Sequence, residues 1–337
     1  MYTPIIYFVW IYYNILHIID CKKRNILNTE KSLAKRATLI SILVATMLVF
    51  VKFIVGILSG SVAVLASAID SLLDILVSIF NFFAIKTSEE NPNERYQYGK
   101  GKIQAISAVI EGTVIIISGI YIIYEAINKL HNGSVTKLVE PSIWVMIFSI
   151  IVTYTLVKYL LKVAEKTDNL VIKADALHYQ TDLWSNAAVL VALGLVYMTD
   201  IDAIDALFGL GIGVYIIYSA YEIIQEGIAI LLDHALDEEI VEHIHQIISN
   251  HDEIPSYHWL KTRTDGTTNF VEFHMVLRPK ILLLEAHRIA DEIEENIMNL
   301  DVKKRWIITP HFDPYDDEEV NEAMLFGGIY LPNNKED

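Results

Sequence analysis

Along most of this chain the apolar positions do not alternate with polar ones; they run on in blocks. Six blocks stand at roughly 36–59, 62–86, 103–128, 142–163, 174–198 and 203–225. A stretch of about 18 or more apolar residues reads as a membrane-spanning helix, because about 20 residues are needed to cross the hydrocarbon core. The link Ser59-Gly60-Ser61 is too short for anything but an antiparallel pair between the first two helices, and Met198 to Asp202 implies the same for the last two.

From Asp233 the pattern changes. Residues Asp237 to Asn250 repeat with helical period, placing Ile240, Ile244, Ile247 and Ile248 on one face. Two strand-like runs follow, Ser256 to Thr264 and Asn269 to Leu277, joined by the hairpin signal Asp265-Gly266. Leu282 to Leu300 predicts a second helix and Trp306 to Thr309 a third strand. An α-β-β-α-β order suits a small open sheet with helices on one face. The expected fold is therefore an α-helical membrane domain of six transmembrane helices plus a small cytoplasmic α+β domain. Its expected segments are an apolar N-terminal extension at 1–28, the transport domain at 29–230, the cytoplasmic domain at 231–315 and an acidic, partly disordered tail at 316–337.

Composition agrees with a membrane protein: 53% of the 337 residues are hydrophobic and the mean hydropathy is +0.38, a balance that leaves too little polar surface for a soluble domain. The net charge of −16, with no basic patch interleaved with aromatics, gives no indication of nucleic acid as a partner. Cys21 is the only cysteine, which excludes intrachain disulfides and thiolate metal sites and leaves carboxylates, imidazoles and carbonyls as metal ligands. Lys31, Lys35 and Arg36 precede the first helix. Lys86, Arg95, Lys100 and Lys102 follow the second, and Lys158, Lys162, Lys166 and Lys173 follow the fourth. The opposite side holds only Lys129 and Lys137, so both ends of the six-helix unit face the cytoplasm. Residues 1–20 are apolar and aromatic with Lys22-Lys23-Arg24 after them, the reverse of a signal peptide. They read equally as a seventh helix, an interfacial helix or an extension the working protein lacks.

The candidate chemistry lies inside two of the blocks. Asp70 and Asp74 stand at i and i+4 in the second helix, and His178 and Asp182 repeat the spacing in the fifth. A charged group at the bilayer centre costs at least about 2.5–3.5 kcal/mol on insertion scales, and like charges one turn apart add to that. Protonated acids bonding neighbouring helices would be the plainer explanation, but two independent pairs favour a shared ion. Brought together, three carboxylates and one imidazole make a four-ligand site suited to a tetrahedral divalent cation. Lys52 in the first helix reads as snorkelling or paired rather than as a substrate group.

Asp70-Ser71-Leu72-Leu73-Asp74, the loop Tyr98-Gly99-Lys100-Gly101-Lys102, and Ala174-Asp175-Ala176-Leu177-His178-Tyr179-Gln180-Thr181-Asp182 together resemble the signatures of the cation diffusion facilitator family, in its bacterial zinc and iron efflux branch. The likeness covers roughly residues 30–313, with the motifs in order. It implies a homodimer with a metallochaperone-like cytoplasmic domain. It implies exchange of a divalent metal for protons at Asp70, Asp74, His178 and Asp182. By the same resemblance His258, His274, His287, His311 and Asp313 form a two-metal cytoplasmic site near the dimer interface. It further implies that Lys102 and Asp233 form a charge pair locking the membrane domains. His243, His245 and His251 have no matching role and read as solvated. A further metal site of related transporters, in the second cytoplasmic loop, has no counterpart here, because the matching residues are Asn93, Tyr96 and Lys100.

The resulting expectation is an efflux transporter of zinc, also of cadmium or ferrous iron. It would work by alternating access in a bacterial inner membrane, with zinc as substrate and as structural or regulatory ion and with no organic cofactor. Two rivals are an intramembrane metal-dependent hydrolase, which needs an open coordination position that four protein ligands would fill, and a metal-sensing membrane protein without transport.

Overall fold

The computed structural model describes residues 32–55, 57–58, 62–132, 140–199 and 203–317. The N-terminal extension, the links at 59–61 and 200–202, and the tail from 318 lie outside the described residues. The chain divides into two compact units between Leu232 and Asp233.

The first unit consists of α1 (Ser32–Val55), α2 (Val62–Ser88), α3 (Ile103–Asn132), α4 (Glu140–Thr167), α5 (Leu170–Thr199) and α6 (Ala203–Leu231). Among the described residues α1, α3, α4 and α6 are long and apolar enough to cross a membrane. The six-span expectation is thus met in part. The other two helices, α2 and α5, have 27 and 30 residues and bear the acids at mid-helix and His178; part of each lies outside the described side chains.

Polarity in this unit is inverted relative to a water-soluble protein. Large apolar side chains such as Leu43, Phe50, Ile117, Trp144 and Val214 point outward, while Ser41, Ser78, Asn81, Ser107, Glu111 and Asp175 are buried. Lipid solvates the first set, and in hydrocarbon the second must find partners inside the bundle. The most extensive packing is between α3 and α6. It rests on glycines: a Cβ on Gly213 would lie 2.5 Å from Ile123 Cγ1, and one on Gly119 would lie 2.8 Å from Ile217 Cγ1. Helices in lipid gain cohesion from such close backbone approach. Asn169 caps α5, its Oδ1 accepting the backbone N–H groups of Val171 (3.1 Å) and Ile172 (3.2 Å), and so fixes where the helix carrying His178 begins.

The second unit follows the expected α-β-β-α-β order: α7 (Glu238–Ser249), β1 (Ser256–Thr264), β2 (Thr268–Val276), α8 (Leu283–Met298) and β3 (Arg305–Asp313). β3 runs well beyond the apolar run Trp306 to Thr309 because its later residues are His311 and Asp313, which periodicity alone does not count as strand. The sheet order is β1-β2-β3, with β1 antiparallel and β3 parallel to β2. Ile244 and Ile248 of α7 and Ile289, Ile293 and Ile297 of α8 pack on Val271, Phe273 and Met275. One face of the sheet is therefore covered, and the alternate residues of β2, including His274, point away from the helices.

Candidate metal centres

In the membrane unit Asp70 and Asp74 occupy successive turns of α2, but the side chain of Asp70 lies outside the described ones. Asp74 Oδ1 is 3.1 Å from His178 Nε2 on α5, the two side chains being 15% and 12% exposed. Asp182 lies one turn along α5, and these three residues each present a ligand atom within 4.8 Å of the others. Zinc–ligand bonds of about 2.0–2.1 Å put tetrahedral neighbours about 3.4 Å apart, so modest contraction would make the three a coordination shell. The helical spacing identified in the sequence thus places one candidate ligand of α2 against two of α5.

Sequence reasoning missed a buried polar network in the same unit. Asp175 and Glu111 are 0% and 2% exposed. Ser41 on α1 donates to Asp175 Oδ2 at 2.7 Å, and Asn81 on α2 donates to Glu111 Oε2 at 2.9 Å and accepts from Ser107 at 2.8 Å. Tyr179 and Ser78 share a hydrogen bond of 3.1 Å. Ser78 and Asn81, Ser107 and Glu111, and Asp175 and Tyr179 do recur at helical spacing, but each pair holds at most one acid beside a neutral side chain, so none stands out in the sequence as a pair of charged ligands. Lys52 donates to Ser71 at 2.7 Å and is buried, so it is paired within the protein and does not snorkel.

Lys102 donates to the carbonyl of Leu231 at 3.1 Å, within the membrane unit. Asp233 accepts from Arg263 at 3.2 Å, within the cytoplasmic one. In the second cytoplasmic loop Asn93 Oδ1 accepts the N–H groups of Arg95 and Tyr96, both at 3.0 Å. Lys100 pairs with Glu90 and lies 5.1 Å from the Tyr96 ring centre. Ionic, cation–π and turn contacts hold this loop, with Gly99 in the left-handed region at φ +88°.

The cytoplasmic histidines are organised by strand register. His258, His274 and His311 stand directly opposite one another on β1, β2 and β3, a single row across the sheet. His258 reaches this row through a bulge. Continued without a break, the register from Thr264–Asn269 to Lys261–Glu272 would set His258 against Met275, on the helix-covered face. One extra residue near Trp259, whose φ is +58°, sets it against His274 instead and turns its side chain to the other face. The ring centres of His258 and His274 are 5.1 Å apart and those of His274 and His311 are 4.6 Å apart.

Asp313 lies two residues beyond His311 on the same face. Its Oδ2 is 2.8 Å from His274 Nδ1 and 3.6 Å from His258 Nε2, while its Oδ1 is 3.3 Å from His311 Nε2. The two oxygens thus face different imidazoles, a bridging disposition. His287 is not brought into this cluster; its exposed ring lies 3.6 Å from Asp291 on its own helix. Asp316 and Asp317, the first residues of the segment read from the sequence as an acidic, partly disordered tail, approach His258. Of the three histidines expected to be solvated, His243 is exposed, but His245 bonds Tyr257 and His251 lies 3.3 Å from Glu292. Tyr257 comes from the start of β1 and Glu292 from α8, which the helical periodicity of α7 alone does not reveal.

Comparison with known proteins gives a consistent result. Residues 38–232 match the family model described as the cation efflux transmembrane domain, and residues 236–315 match the cytoplasmic domain of cation efflux proteins. The chain is 34% identical over 268 residues to the cation-efflux pump FieF of Shigella boydii, covering 79% of this chain and 88% of that protein. Against FieF of Citrobacter koseri the identity is 33% over 272 residues, covering 80% and 90%. FieF of Escherichia coli gives 34% over 268 residues, with 79% and 88% covered.

Proposed function

The chain belongs to the cation diffusion facilitator family of cation efflux transporters, and on that footing we propose that it exports zinc in exchange for protons, with cadmium and ferrous iron as further substrates. The observation that carries this reading is the convergence of Asp74, His178 and Asp182 between α2 and α5. Asp70 completes the proposed set as the fourth ligand. Carboxylate oxygen suits several divalent ions, and the single imidazole tilts the set toward zinc.

The proposed cycle follows from charge. Without metal, acids crowded beside one another in a low-dielectric bundle hold protons, because they cannot all ionise cheaply. A divalent ion entering from the cytoplasm displaces those protons from His178 and the carboxylates, since ligands bind deprotonated. Opening to the far side lets protons return and releases the metal. Lys102 and Asp233 serve in this reading as the charge pair that locks the membrane domains of a homodimer. In this reading His258, His274, His287, His311 and Asp313 form the cytoplasmic zinc site, structural or regulatory; His258, His274 and Asp313 face one point and fit the ion chemically, and His287 stands apart from them within the single chain.

The test is metal uptake into proteoliposomes with a trapped pH dye and with zinc, cadmium and ferrous iron in competition. Zinc uptake with proton counterflow is the expected result. Uptake without counterflow would overturn antiport, and tight binding with no uptake would favour a sensor.

A further inference from the structure

We propose that Asp317 is a fourth ligand of the cytoplasmic metal site, so that His258, His274, Asp313 and Asp317 of one chain enclose a single divalent ion. The proposal rests on the metal-binding reading of the first three residues given above. Asp317 Oδ1 lies 2.9 Å from His258 Nε2, and the four residues each offer a ligand atom within 4.8 Å of the others. Two imidazole nitrogens and two carboxylate oxygens are a donor set that zinc takes in tetrahedral geometry, and two negative charges neutralise the dication.

The chain segment that delivers Asp317 is anchored. Ser256 donates to Asp316 Oδ2 at 2.9 Å, fastening the segment to the start of β1. Asp316 Oδ1 faces His258 Nδ1 at 3.6 Å, on the opposite side of the ring from the metal-facing Nε2. A carboxylate there favours the tautomer with its proton on Nδ1, which leaves the Nε2 lone pair for the ion. The His258 side chain is 1% exposed and that of Asp313 9%, so Asp317 lies over a site already shielded from water. A zinc ion with four protein ligands has no position for water and is held as a structural ion. His311, on the other oxygen of Asp313, falls outside this shell. Each chain would then retain one ion without a ligand from its partner.

The experiment is zinc titration of the full-length protein in detergent against a competing chelator, paired with visible absorption of the cobalt(II) form. Asp317→Ala is expected to weaken one bound zinc at least about tenfold, since even the loss of a hydrogen-bonding partner behind a ligand costs about 10–100-fold. Its cobalt bands should lose intensity as water enters and the coordination number rises. Unchanged affinity and unchanged bands in Asp317→Ala, with one zinc lost in His274→Ala, would overturn the role of Asp317 and leave the site itself standing. Full zinc content in His274→Ala as well would overturn the underlying site.

Discussion

His178 on α5 and Asp74 on α2 are partners, Nε2 to Oδ1 at 3.1 Å, although 104 positions separate them in the chain. Neither group can be solvated by lipid, so each depends on the other or on an ion between them. Asp182→Ala removes a further proposed ligand from this point without removing packed apolar volume. Metal flux into proteoliposomes should fall to background while size-exclusion chromatography shows an unchanged elution profile. Wild-type flux in this variant would mean that the ion crosses elsewhere.

His178→Asp exchanges the one softer ligand for a hard oxygen. The variant should accept manganese and ferrous iron more readily relative to zinc. It should also move fewer protons per ion, because the imidazole proposed to exchange a proton is gone. Competition uptake with a trapped pH dye measures both. An unaltered preference would show that His178 does not touch the metal.

The α3–α6 contact predicts opposite outcomes at two neighbouring glycines. Gly213→Ala places a methyl group 2.5 Å from Ile123 Cγ1 and 3.1 Å from the Gly119 carbonyl. Overpacking of this kind costs about 1–3 kcal/mol. Gly211→Ala meets nothing within 4 Å and should leave the melting temperature unchanged or slightly raised. Thermal unfolding in detergent separates the two, and equal melting temperatures would contradict the close approach.

Asn81 bonds both Glu111 and Ser107 in the bundle interior. Asn81→Ala leaves buried polar atoms without this partner, at about 1–3 kcal/mol or more for a charged group. The same thermal measurement should show a lower melting temperature than the wild type, and Ser107→Ala, which deletes only one of those bonds, should lower it less.

Much of this architecture was legible in the sequence for a plain physical reason: helices that face lipid must be apolar over their whole length, and the blocks are therefore long and unmistakable. The pairs Asp70–Asp74 and His178–Asp182 were legible because helical spacing makes i and i+4 neighbours whatever the tertiary fold. Glu111, Asp175, Asn81 and Ser41 were not, because the groups that satisfy them come from other helices, and spacing along one helix does not show which helix faces it. Asp317 was hidden by composition, since an acidic run at a chain end has the signature of a solvated tail. The histidines at 258, 274 and 311 were visible as candidates, yet their alignment depends on strand register, which side-chain pattern leaves open when a bulge intervenes.

That bulge has a consequence for any attempt to move this site into another protein. Copying His258, His274, His311 and Asp313 onto a regular three-stranded sheet, position for position from the hairpin turn, would bury the first imidazole among the helices. The surplus residue beside Trp259 is therefore as much a component of the site as any ligand, though it contributes no donor atom. Loss of one residue there would rotate His258 half a turn about its strand and break up the cluster while every proposed ligand was still encoded.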